Sequence, residues 1–222
     1  MEYVANIEPE SPLVWTYLGA LHCENYGLEI VDMETPIEKG VEFAEKGVQL
    51  DPSNQRARVW LAEARLLSNQ LSEGLVEAKK ALALNPSSLI YMDTIGYGLA
   101  LLGDWEQGCA LIEKAMKHNP YIRAYNYYVL CWNWLRRQEY EKAYIESLNF
   151  RLPSIFWDPL LRAITLGHLG RTKEGNKNVE QVLKLKPDFP VRGRLLIERI
   201  IKADELVDIH IDGLRKSGLD LR

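Results

Sequence analysis

Residues 55–88, QRARVWLAEARLLSNQLSEGLVEAKKALALNPSS, and residues 89–122, LIYMDTIGYGLALLGDWEQGCALIEKAMKHNPYI, are two copies of one 34-residue unit with no gap between them. In each copy an apolar helical segment meets a turn, Ser68-Asn69-Gln70 in the first and Leu102-Gly103-Asp104 in the second. A second helical segment follows, and Asn-Pro closes the unit at Asn85-Pro86 and Asn119-Pro120. A fixed period of this length means an array in which each unit buries its apolar face against its neighbours.

Small residues recur within the period. Ala62 and Gly96 hold position 8, Gly74 and Gly108 position 20, Ala81 and Ala115 position 27, with Pro86 and Pro120 at position 32. The small side chains let two antiparallel helices approach closely, and proline fixes φ and removes a donor, which ends the second helix. On these residues the unit resembles the tetratricopeptide repeat. The resemblance implies an all-α, right-handed superhelical solenoid of antiparallel helix pairs, about five repeats plus a C-terminal capping helix pair. A helical bundle with coincidental spacing is the alternative.

Carried outward, the phase assigns residues 1–187 to the array, with repeats at about 12–54, 55–88, 89–122, 123–153 and 154–187, and leaves 188–222 for the cap. Trp15, Leu18 and Gly19 open the first repeat in phase, and Gly40, Gly47 and Pro52 close it. Nine extra residues separate Gly19 from Gly40, so 26–35 must hold an extended helix or a longer loop, with Thr35-Pro36 as a helix start. The fourth repeat fits only with one residue inserted and closes early at Arg151-Leu152-Pro153. The fifth carries Ala163, Gly170, Gly175 and Pro187 in phase, with Val182 in place of a small residue at position 27. Glycine at position 20 recurs as Gly40, Gly74, Gly108 and Gly175. Mid-helix glycine costs roughly 0.5–1 kcal/mol relative to alanine, so tight contact within each helix pair is the expected reason. Arg194 to Ala203 and Asp204 to Ser217 read as the capping helices, with Gly218 as the stop. Pro9 already sits at position 32 of a preceding unit, so the expectation is a chain cut from a longer protein or once preceded by another domain, with an ordinary frayed terminus as the alternative.

Composition narrows the function. The net charge of −4 argues against nucleic-acid binding, which needs clustered Lys and Arg. Charge is uneven, −8 from Met1 to Leu161 and +4 from Arg162 to Arg222, a polarity that could guide docking or self-association. Cys23, Cys109 and Cys131 read as buried thiols in a reducing compartment. No signal peptide is apparent, and the uncharged run from 124 to 135 is too short and too polar to span a bilayer, so a soluble, cytoplasmic protein is expected. His22, His118, His168 and His210 are scattered without metal-ligand spacing, and Gly96-Tyr97-Gly98 lies inside a helix, where it serves packing rather than a nucleotide. No metal, no cofactor and no enzymatic activity are expected.

The family resemblance also implies where a partner would sit. Positions 2, 5, 9 and 12 of each first helix commonly face a concave groove. They are Arg56, Val59, Glu63 and Leu66 in the second repeat; Ile90, Asp93, Tyr97 and Ala100 in the third; Ala124, Tyr127, Cys131 and Trp134 in the fourth; Trp157, Leu160, Ile164 and Gly167 in the fifth. The partner-binding candidates are Arg56, Glu63, Asp93, Tyr97, Tyr127, Cys131, Trp134 and Trp157. Tyr127, Cys131 and Trp134 share one helix face by spacing alone. Thr16 and Ala20 stand where some relatives carry Lys and Asn for a carboxylate clamp, so that clamp is absent. A protein or peptide segment with apolar anchors is the expected partner. Two readings compete: the aromatic helix of the fourth repeat fills a widened core, or the C-terminal helices fold back into the groove. The tail Ile211-Asp212-Gly213-Leu214-Arg215-Lys216-Ser217-Gly218-Leu219 resembles repeat regions of bacterial nucleotide cyclases and winged-helix regulators. That resemblance implies a regulatory or docking region as the alternative. An RNA-binding helical repeat is disfavoured by the 34-residue spacing and the negative charge.

Overall fold

The computed structural model describes residues 6–29, 37–119 and 125–221, and among them the secondary structure is all helix. Twelve helices follow one another: α1 Pro12–Leu28, α2 Ile37–Leu50, α3 Gln55–Leu67, α4 Leu71–Leu84, α5 Met92–Leu101, α6 Trp105–His118, α7 Tyr125–Arg136, α8 Tyr140–Asn149, α9 Trp157–His168, α10 Thr172–Leu185, α11 Phe189–Ile200 and α12 Asp204–Lys216. They fall into two compact units, Met1–Pro120 and Tyr121–Arg222. The helix start expected at Thr35-Pro36, and Pro120 and Ala124, lie outside the described residues.

In the first unit α1 packs with α2, α3 with α4 and α5 with α6, while each first helix also meets the first helix of the next pair. One turn recurs between the helices of a pair. The chain leaves the first helix through a residue with positive φ, Asn69 at 64° and Gly103 at 103°. The next amide then reaches back five residues, Gln70 N–H to the Arg65 carbonyl and Asp104 N–H to the Leu99 carbonyl, both at 2.8 Å. This left-handed ending satisfies carbonyls that the helix leaves open. In the second unit Gln138 and Gly170 repeat it, with Glu139 to Trp134 and Arg171 to Leu166 at 2.9 Å. Gly218 closes α12 in the same way, with Leu219 N–H 3.0 Å from the Leu214 carbonyl.

Among the position-20 glycines, the closest approach to backbone is in the third repeat. A Cβ on Gly108 would stand 2.5 Å from the Gly96 carbonyl oxygen and 2.6 Å from the Ala100 nitrogen. Backbone touches backbone there, so only glycine fits.

The second unit begins as pairs, α7 with α8 and α9 with α10, and then departs from the pattern. α12 lies along α9 and reaches α7, with only slight contact to α11. The two C-terminal helices therefore do not form a sixth stacked pair. Small residues on both sides explain the seat. Gly213 on α12 and Ser217 at its C-terminal cap oppose Ala163 and Gly167 on α9, and the Ser217 hydroxyl donates to the Ala163 carbonyl at 2.7 Å.

Candidate functional site

First helices α1, α3 and α5 meet one another in succession and form the face here termed the inner face of the first unit. Three side chains from three successive repeats meet there. The Arg56 guanidinium on α3 donates from Nε to the Tyr91 hydroxyl at 2.5 Å and from Nη1 to the Tyr17 hydroxyl at 2.6 Å. It also lies 5.2 Å and 5.6 Å from the two ring centroids, close enough for cation–π attraction. The Tyr91 hydrogen bond is the largest influence on Arg56 and raises its already high pKa, so the charge is permanent. The unit's other arginines are neutralised: Arg58 pairs with Glu77 at 2.5 Å and Arg65 with Glu45 at 3.2 Å. Arg56 has no acidic partner among the described residues.

Exposed apolar side chains flank this cluster. Leu13 and Leu21 stand one helical turn on either side of Tyr17 and are exposed, and Ile90, beside Tyr91, is 72% exposed. Further along, Trp60, Glu63 and Tyr97 are half-buried. Glu63 and Tyr97 line a cavity of about 10 Å³ with Val59 and Thr94, space for roughly one water. A broad opening of about 760 Å³ lies between the second helices α4 and α6, lined by Lys79, Leu82, Asp104 and Gln107 among others.

The eight candidate residues divide. Arg56, Glu63 and Tyr97 are half-buried on first helices α3 and α5, whereas Asp93 is buried and its carboxylate accepts from the Thr94 amide at 2.8 Å. In the second unit Tyr127 and Trp134 are half-buried, and the Trp134 ring has the Lys142 ammonium at 4.5 Å and the Arg137 guanidinium at 5.1 Å. Cys131 and Trp157 belong to the core, at 0% and 1% exposure. Burial raises the Cys131 thiol pKa far above its ordinary value, which keeps it protonated. Trp157 joins Tyr128, Trp132 and Phe156 in one aromatic cluster, so helix α7 fills a core with its rings. α12 lies against the fifth-repeat positions Ile164 and Gly167. The Gly213 carbonyl oxygen would be 2.0 Å from a Cβ on Gly167, and a Cβ on Gly213 would be 2.7 Å from the Ile164 carbonyl oxygen. Tyr17 and Tyr91 were not among the sequence candidates, because they sit one position off the groove-facing pattern.

The α12 seat is expected to be sensitive to pH. His210 is fully buried beside Trp132, with a ring separation of 6.2 Å, and its Nδ1 lies 2.7 Å from the Leu206 carbonyl oxygen. Burial pushes its pKa from 6.5 down to about 4. The unfolded chain therefore binds the proton first as pH falls, so the contribution to stability is complete above about 6.5 and is lost between 6.5 and 4. The loss should approach roughly 3 kcal/mol, by the factor of 1.36 kcal/mol per pKa unit. Half-buried His168 is lowered too, chiefly by desolvation, and adds a slope of the same sign. Urea midpoints measured from pH 7.5 to 4.5 should fall steeply, and His210→Phe should flatten the fall; an equal slope in both proteins would refute the assignment.

No protein-family model and no curated protein matches this sequence. Solved structures do match. The Cut9–Hcn1 hetero-tetramer of the APC/C aligns over 97% of this chain and 42% of that one, at 14% identity and a TM-score of 0.67. pilF of Pseudomonas aeruginosa aligns over 92% and 89%, at 18% identity and 0.60. MamA of AMB-1 aligns over 78% and 98%, at 15% identity and 0.54. The fold is that of a tetratricopeptide-like helical repeat. Among the described residues no helix is long and apolar enough to cross a membrane.

Proposed function

We propose that this chain is a non-enzymatic protein-interaction scaffold that docks a peptide or helical segment across the inner face of its first unit. The observation that carries the reading is the continuity of that face. Leu13, Tyr17, Leu21, Trp60, Ile90 and Tyr97 come from three successive repeats and leave apolar or aromatic surface in reach of solvent. In the second unit α12 packs against the first helices α9 and α7. Unit charge supports a protein rather than a nucleic acid, since residues 1–120 hold nine basic and eighteen acidic side chains, a net of −9. The alternative, a regulatory or docking region of a larger bacterial signalling protein such as a nucleotide cyclase or transcription regulator, would use the same face.

The test is binding of the full chain to an array of random 12-residue peptides, compared with a Leu21→Ser/Tyr97→Ala double variant matched in helicity and melting. A buried aromatic or aliphatic anchor often contributes 2 kcal/mol or more, so the variant should bind its best peptides at least about tenfold more weakly. Peptides bound equally by both proteins would instead point to the opening between α4 and α6.

A further inference from the structure

We infer that the Tyr17–Arg56–Tyr91 cluster is a carboxylate-binding site, and that the docked segment places an internal Asp or Glu side chain there. The inference rests on the docking reading above and specifies the chemistry of the partner. Arg56 uses Nε and Nη1 on the two hydroxyls, which leaves the Nη2 donors without a partner among the described residues. Each tyrosine accepts a hydrogen bond from Arg56 and still has its own O–H to donate. Arginine and the two hydroxyls thus form a set of donors around one positive charge, and no carboxylate among the described residues pairs with it.

Charge selects the ligand. One guanidinium balances one negative charge, and a unit with a net charge of −9 repels a phosphate dianion more strongly than a carboxylate. Preorganisation raises the value of the contact. Exposed ion pairs usually contribute little because two long side chains must be immobilised, but Arg56 is already held by two hydrogen bonds and two rings.

The surroundings select the source of the carboxylate. Exposed Leu13 and Leu21 flank Tyr17 on both sides along α1, and Ile90 lies beside Tyr91. A chain-terminal carboxylate would use apolar surface on one side only. An internal acidic residue with apolar neighbours before and after it uses both.

The experiment employs the full chain and two sets of random 12-residue peptides, one acetylated and amidated, the other ending in a free carboxylate. Wild type should select amidated peptides with Asp or Glu between apolar residues. Arg56→Gln should lose that acidic preference, with about tenfold weaker binding to those peptides and unchanged binding to their Gln or Asn counterparts. Tyr17→Phe/Tyr91→Phe should weaken the same peptides by a smaller factor, because the charge remains. Selection of free-carboxylate peptides alone, or an acidic preference that survives Arg56→Gln, would overturn the inference while leaving the docking reading in place. If no peptide is sensitive to Leu21→Ser/Tyr97→Ala, the docking reading fails and the inference fails with it.

Discussion

Gly167→Ala is expected to destabilise the second unit by about 2–3 kcal/mol, even though alanine raises helix propensity by up to about 1 kcal/mol. The new Cβ would lie 2.0 Å from the Gly213 carbonyl oxygen and 2.8 Å from the Ser217 hydroxyl. Its main obstacle is backbone, which cannot rotate away as a side-chain tip can. α12 must therefore shift from α9, and overpacking of this kind costs about 1–3 kcal/mol and occasionally more. The clash wins over the propensity gain. Gly98→Ala supplies the contrast, because nothing lies within 4 Å of a Cβ placed there. That variant should be stabilised by about 0.5–1 kcal/mol through the propensity and unfolded-chain terms alone. Urea midpoints for both variants, with hydrogen exchange of α12 amides in Gly167→Ala, check the pair. A neutral Gly167→Ala with unchanged α12 protection would mean that the helix is not seated on α9 in this way.

The repeats were legible because their markers are local. A turn residue, a small residue at a fixed place and a closing Asn-Pro each report on a few neighbouring positions, and Asn69, Gly103 and Gly170 fall at the same left-handed step. Gln138 falls at that step as well, one residue later than an exact period would place it, which is the single insertion visible in the fourth repeat. Exposure was less legible. Repeat position tells which side of a helix a residue occupies, but solvent access depends on what packs there afterwards. Ile164 and Gly167 are covered by a helix that begins some forty residues later, at Asp204. The small residues Gly213 and Ser217, four apart, were the available signal for that cover, and they carry no repeat phase. The Arg56 cluster was half legible. Arg56 was a sequence candidate, but its partners lie 39 and 35 residues away, beyond any helix-spacing rule.

Trp132→Ala is expected to cost about 3–5 kcal/mol, the range for removing a large aromatic side chain from a core. Trp132 is 1% exposed. It stacks on Tyr128 at 5.4 Å, meets Trp157 edge-on at 5.8 Å and faces His210 at 6.2 Å, so its loss opens a cavity bordered by α7, α9 and α12 together. Aromatic pairs add about 0.5–1.5 kcal/mol each beyond the area they bury, which places the cost in the upper part of the range. The conservative variant separates packing from hydrogen bonding. The Trp132 Nε1–H is buried with no hydrogen-bond partner among the described residues, and such an unsatisfied group costs about 1–3 kcal/mol. Trp132→Phe removes that penalty while keeping most of the apolar surface, so its net effect should stay within about 1 kcal/mol. Urea unfolding followed by circular dichroism measures both variants. If phenylalanine proves as damaging as alanine, the indole nitrogen contributes to stability and the cluster is more than a packed apolar core.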